Sequence, residues 1–335
     1  MRAEPAASEL DSSPRTHRGQ GAAIALPLMI LALGLAACGD SASGPAQPFS
    51  EEILAEERVL VDQARPTRPN GDYAGAPTRM IPTRLWYRLD APADAPSCGR
   101  GGCSLVLLAH GFGGSTARFD AYARALALAG YVVAAPTFPL TNERAPGGIV
   151  KGLSDVTQQP GDLSFTVDEL LAAAGDPADP LHGRLDRRRA IGLVGHSLGG
   201  ATAAAATRSA CCTDARIAAD VLVAPAVGLV ESVFETTLST AGPATLVVNG
   251  TLDTAIPVEV SRAWWATLES PAAFLAVPGA HHGDLIENSG DPSPFLDPTE
   301  RASIGFFDAF LGGDRGALDT AFAGLREEGY EPLGP

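Results

Sequence analysis

The residues best suited to chemistry form the pentapeptide Gly195-His196-Ser197-Leu198-Gly199, which fits G-x-S-x-G. It follows an apolar run and opens an alanine-rich stretch, so a strand should lead into it and a helix should leave it. On such a turn a serine is presented on a sharp, strained bend. Side chains at Gly195 or Gly199 would collide with the neighbouring strand or helix, and Gly200 adds room for close packing. Serine attacks carbonyls poorly at neutral pH unless a base takes its proton and a third group orients the base. Of the six histidines, His281 and His282 lie in the right stretch, just past the last expected strand. Asp253 follows the preceding strand in Asn249-Gly250-Thr251-Leu252-Asp253. Ser197, Asp253 and His282 then run in the chain order serine, acid, base. All three fall at the carboxyl edge of one sheet, where open α/β folds place their sites. Asp220 and Asp284 compete for the acid's role, but neither follows the penultimate strand. His196 fills the variable position of the motif and reads as a packed or exposed side chain, not a catalytic one.

From about residue 57 to 311 the chain resembles the α/β-hydrolases of the dienelactone hydrolase, chlorophyllase and platelet-activating-factor acetylhydrolase group. The resemblance rests first on Arg65-Pro66-Thr67, Leu85-Trp86-Tyr87 and His110-Gly111-Phe112-Gly113-Gly114. It continues through Gly195-His196-Ser197-Leu198-Gly199-Gly200, Leu252-Asp253 with Pro257 following, and Pro278-Gly279-Ala280-His281-His282. The group ends its motif Gly-Ala-x-His, which implies His282 as the base and leaves His281 as the intervening residue. It also implies an oxyanion hole from the backbone N–H groups of Phe112 and Leu198, preorganised for the charge of a tetrahedral intermediate. His110 would brace that loop by hydrogen bonding. Two departures narrow the likeness. Dienelactone hydrolases proper use cysteine where this chain has Ser197. Polyester-degrading cutinases carry methionine after the nucleophile and a later tryptophan, where this chain has Leu198 and Ala226. The histidine pair with Asp284 does not suit a metal, since adjacent histidines rarely share one. No metal or organic cofactor is expected.

The elements that must position these residues are strands alternating with helices. Strands are expected at Arg58–Asp62, Met80–Leu89, Leu105–Ala109, Tyr131–Ala135, Ala190–Val194, Val221–Ala224, Thr245–Val248 and Ala273–Val277. Helices are expected at Ala117–Ala129, Asp162–Ala174, Leu198–Ser209, Pro257–Leu268 and, last, Pro298–Leu311. That alternation implies an α/β fold with a mostly parallel central sheet and helices on both faces. Only Pro225 to Pro243 separates two of the strands, so no large lid is expected. The site should lie open between Thr137–Pro160 and Val227–Leu238, with Leu140, Ile149, Leu153, Val227 and Phe234 as candidate apolar wall. An open site suits short-chain or exposed esters.

The N-terminus reads as an address. Arg15, His17 and Arg18 precede the uncharged run Gly21–Ala37, which is short of the roughly 20 residues a membrane span requires. Leu35-Ala36-Ala37-Cys38 then resembles the lipobox of bacterial lipoproteins, which implies cleavage before Cys38 and lipid on its sulfur. The expected layout is a signal peptide over 1–37, a lipidated tether over 38–49 and a hydrolase domain over 50–335. This predicts export to the periplasmic or extracellular face of a bacterial membrane. Cys98, Cys103, Cys211 and Cys212 remain, an even number in an oxidising compartment, where disulfides form. Cys98–Cys103 closes a short glycine-rich loop, which would leave Cys211–Cys212 as a vicinal pair; cross-pairing and free thiols are the alternatives.

Composition sets the limits. The 335 residues carry 24 basic and 39 acidic side chains, a net charge of −15, with 45% apolar residues. A disordered chain would be less apolar, and a nucleic-acid binder would need a basic surface. The reading is therefore a lipid-anchored serine hydrolase of carboxylic esters, acting on a small-molecule ester or a lipid. An acyltransferase or amidase using the same residues is the alternative, and a non-catalytic binding lipoprotein on the same fold is a different class.

Overall fold

The computed structural model describes residues 53–90, 95–269, 271–287 and 293–334. The expected signal peptide, Cys38 and the tether lie outside the described residues. Eight strands form the central sheet: β1 (Ile53–Asp62), β2 (Arg79–Arg88), β3 (Leu105–Ala109), β4 (Val132–Pro136), β5 (Ile191–His196), β6 (Ile217–Val223), β7 (Ala244–Gly250) and β8 (Ala272–Val277). Their spatial order is β1-β2-β4-β3-β5-β6-β7-β8. β1 pairs antiparallel with β2, and β2 antiparallel with β4; the remaining neighbours are parallel. The sheet is thus mostly parallel, as the alternating pattern predicts.

Helices α1 (Asp120–Leu128), α2 (Gln159–Gly175), α3 (Leu198–Arg208), α4 (Val230–Phe234), α5 (Val258–Trp265), α6 (Leu296–Phe307) and α7 (Ala317–Glu327) surround it. The two faces can be read from β3. Leu105, Leu107 and Ala109 pack with Leu163, Val167 and Leu170 of α2 and the alanines of α3. Val106 and Leu108 point the other way, against Tyr122 and Leu126 of α1, Phe306 and Phe307 of α6, and Phe322 of α7. A strand buried on both faces must be apolar at every position, which is why Leu105–Ala109 shows no polar alternation. Every residue of α3 is buried. Its run of alanines lets the helix axis approach the sheet more closely than larger side chains would allow.

Three elements differ most from expectation; one is β6, which begins at Ile217, not Val221, and pairs ahead of Val221 with both β5 and β7. β1 begins at Ile53, not Arg58, because Ile53–Glu57 pair in register with Arg84–Arg88 of β2. Glu56 and Glu57 weaken the local strand signal, and the antiparallel partner overrides it. The chain also continues past Leu311 into α7, whose Leu318, Phe322 and Leu325 occupy one buried stripe. A small hairpin pairs Cys98 with Cys103 directly across its strands, and these two cysteines are bonded. Cys211 and Cys212 are bonded to each other just past α3. Among the described residues, no helix is long and apolar enough to cross a membrane.

The chain runs from β3 to β4 on one side of the sheet, then returns to place β5 on the other side of β3. The carboxyl ends of β3 and β5 flank this change of direction, where open α/β sheets leave a crevice.

Candidate active site

Ser197 sits between the end of β5 and the first residue of α3, with φ 55° and ψ −117°. Side chains rarely adopt a positive φ, and here the surrounding bonds impose it. The Ser197 N–H donates to the Val223 carbonyl at 3.0 Å, and the Ser197 carbonyl accepts from Ala226 at 2.9 Å and Ala201 at 3.1 Å. The motif's glycines are required by close approach. A Cβ on Gly195 would strike the Gly199 carbonyl and come within 2.8 Å of the Ala203 Cβ. A Cβ on Gly199 would strike the carbonyls of Ala109 and His110.

Three side chains from three loops then meet. Asp253 lies on the turn after β7, with its carboxylate out of solvent. Its Oδ1 accepts from the Ala255 and Ile256 N–H groups, each at 2.8 Å. Its Oδ2 accepts from His282 Nδ1–H at 2.7 Å. That bond places the imidazole proton on Nδ1 and leaves the Nε2 lone pair free. Nε2 faces Ser197 Oγ at 2.8 Å and accepts the hydroxyl proton. His281 points elsewhere: its Nδ1 bonds the Leu252 carbonyl at 3.1 Å, and its N–H donates to Asp284 at 2.8 Å. Asp220 is buried within β6 against Thr207. Of the two histidines and three aspartates considered from sequence, His282 and Asp253 alone join Ser197.

The loop after β3 brings the remaining group of candidates. A Cβ on Gly111 would lie 3.1 Å from the Ser197 Cβ, so this loop packs directly on the serine. The Gly113 N–H donates to the Thr141 carbonyl at 2.7 Å, and the Gly114 N–H to the Gly111 carbonyl at 3.1 Å. Among the described residues, no acceptor takes the N–H of Phe112 or of Leu198. His110 braces the loop from within. Its Nδ1–H donates to the Gly111 carbonyl at 2.8 Å, and its Nε2 accepts from the Phe138 N–H at 3.0 Å. The second bond needs a neutral ring. Burial pushes the His110 pKa down to about 4, only partly offset by the Gly111 carbonyl.

Sequence reasoning missed a second cluster beneath His282. His196 is buried, with Nδ1 3.0 Å from Glu287 Oε1 and Nε2 donating to the His282 carbonyl at 2.9 Å. Arg118, just before α1, donates to Glu287 Oε2 at 3.1 Å. A titratable residue at the variable position of the motif was the available signal. Its partner lies 91 residues away, beyond any local pattern.

The surroundings of the site are short segments. Between β6 and β7 the chain makes only the single turn Val227–Leu229 and α4. Val227 and Phe234 are buried, Phe234 beside Leu198 on α3, and Leu140 is buried too, so these three are packing residues first. The side chain of Leu153 is outside the described residues. A cavity of about 590 Å³ lies beyond the Gly113–Gly114 turn, lined by Tyr73, Met80, Arg84, Thr116 and Asn142 among others. Ser197, Asp253 and His282 are not part of its lining. No protein-family model matches the chain, and no curated protein matches it.

Proposed function

We propose that this chain is a serine hydrolase of carboxylic esters with an α/β-hydrolase fold. The observation that carries the proposal is the continuous hydrogen-bond chain from Ser197 Oγ through His282 to the buried Asp253 carboxylate. Ser197 Oγ attacks the ester carbonyl while His282 Nε2 takes its proton. The Asp253 carboxylate stabilises the imidazolium that forms and keeps Nδ1 turned toward itself. The N–H groups of Phe112 and Leu198 donate to the developing oxyanion; one such donor is worth about 10²–10³ in turnover. The C–O bond breaks, His282 returns its proton to the departing alcohol, and Ser197 is left acylated. Water then attacks the acyl-enzyme with His282 again as base, and the acid departs.

The His282 side chain is 28% exposed and Phe112 is 42% exposed, which leaves water a route to the acyl-enzyme. That favours hydrolysis over transfer to another acceptor, and short-chain or surface-accessible esters over long buried acyl groups. The lipobox at Cys38 supports a lipid-anchored enzyme on the outer side of a bacterial membrane, where esters of small molecules or lipids would reach it. A fluorophosphonate probe should label the wild-type chain and not Ser197→Ala. Folded wild-type protein that takes no label would sink the proposal.

A further inference from the structure

His196 has no part in the ester cleavage described above, yet its surroundings are built around it. The side chain is 4% exposed. Each ring nitrogen faces an oxygen placed to accept: Glu287 Oε1 at 3.0 Å and the His282 carbonyl at 2.9 Å. Two acceptors need two N–H donors, and an imidazole has two only when protonated. Glu287 is held as the anion. Burial works against this, but the hydrogen bonds and charges of His196 and Arg118 outweigh it and bring its pKa to about 2. The His196 and His282 ring centroids are 4.9 Å apart, with the planes inclined by 41°.

We infer that His196 is a buried imidazolium, fixed by Glu287 and Arg118, that positions His282 through its carbonyl and through the adjacent ring. The inference rests on reading His282 as the catalytic base. Its first effect is mechanical. The bond from His196 ties the segment carrying the base to β5, the strand that ends at the nucleophile. Leu285 and Ile286 are buried in the core on the same segment, and Glu287 closes the loop back onto His196.

The second effect is electrostatic. Asp253, from the turn after β7, favours a positive charge on His282; a cation in the neighbouring ring opposes it. The other groups facing the two rings are Glu287 and Asp284 on the base's own segment and Arg118 from the turn just before α1. Glu143, after β4, lies 3.7 Å from Arg118, and His110, after β3, is held neutral by burial. Asp284 is turned to the His281 N–H. Arg118 offsets Glu287, and His196 offsets Asp253. His196 thus opposes the charge that Asp253 favours on His282.

Side-chain nitrogen NMR of the histidines reads both rings directly and needs no turnover. His196 should carry protons on both nitrogens at neutral pH, since each nitrogen faces an acceptor. His196→Gln removes the charge but can still donate to the His282 carbonyl. Loss of the neighbouring cation should move the His282 midpoint to higher pH, and the acidic limb of kcat/KM should move up with it. A wild-type His196 that lacks a proton on either ring nitrogen under the same conditions overturns the inference. So does an unmoved His282 midpoint in folded His196→Gln. If that variant does not fold, the wild-type protonation state decides. Failure of wild-type Ser197 to take a fluorophosphonate would instead remove the hydrolase reading, and the titrations would still report on the His196 pair.

Discussion

Arg79 allows a quantitative test of how the walls of the site are held. It lies at the start of β2 and is fully buried. Its Nε and Nη2 donate to the two Asp162 oxygens, each at 2.6 Å, and its Nη1 and Nη2 donate to Asp155 at 2.9 and 2.7 Å. Arg65 reaches Asp162 from the loop after β1 at 2.9 Å. Asp155 and Asp162, on the segment entering α2, therefore share two guanidinium groups with Asp62, which Arg65 also holds. Arg79→Met keeps the apolar stem, removes four hydrogen bonds, leaves Asp155 without a counter-charge and leaves Asp162 with Arg65 alone. Breaking a buried pair in this way costs about 3–5 kcal/mol. At roughly 2–4 °C per kcal/mol, the melting temperature should fall by about 6–20 °C.

The loss should depend on pH, and its sign is fixed. Burial already raises the Asp162 pKa, against the pull of Arg79 and Arg65. Without Arg79 it rises further above the unfolded value, so the folded variant holds a proton that the unfolded chain releases. The destabilisation is then complete above the raised folded pKa and fades as the pH falls through it toward about 4. Thermal unfolding followed by circular dichroism at about pH 8 and about pH 5 reads this directly, with the gap narrower at the lower pH. Arg144→Met is the control: that side chain is 90% exposed and should cost less than about 0.5 kcal/mol. A shift below about 2 °C at the higher pH, or the same shift at both, would refute the reasoning. The effect should also reach the site. Gln159, in the first turn of α2, bonds Thr141 on one side and Thr202 of α3 on the other. Fluorophosphonate labelling of Ser197 in Arg79→Met should slow.

Two further outcomes are expected. His282→Ala should lower kcat on p-nitrophenyl acetate by at least about 10³-fold, while His281→Ala changes it little; the reverse pattern would move the base to His281. Burial, reinforced by Asp297, pushes the Glu300 pKa up to about 7. The folded chain then holds a proton that the unfolded chain loses, so this group costs stability as the pH rises from its unfolded value through about 7. Glu300→Gln should stabilise by about 1–2 kcal/mol at about pH 8, after allowance for solvent screening, and by nothing at about pH 4. Equal gains at both pH values would remove Glu300 as the cause.

Local pattern carried much of this protein. The five residues Leu105–Ala109 form a strand with the bounds the apolar run predicts, since a strand covered on both faces leaves no place for polar alternation. The turn at Ser197 was legible because its steric demands fall within a few residues: Gly195 and Gly199 are needed by backbone that lies beside them. The chain order of Ser197, Asp253 and His282 was legible because each follows a strand end, and parallel strands bring their ends to one edge. What local pattern could not carry was pairing. β1 reaches back to Ile53 only because β2 lies opposite it. The four cysteines allowed three pairings, and the hairpin that sets Cys98 opposite Cys103 selects one. Two adjacent histidines look alike in sequence, but successive side chains point apart, so His282 turns to Ser197 and His281 to the Leu252 carbonyl. The bond between His196 and Glu287 spans 91 residues. Sequence determined which residues could do chemistry and which strand ends would present them. Tertiary structure alone decided which side chains meet, because hydrogen bonding and burial act over distances in space that separation along the chain does not encode.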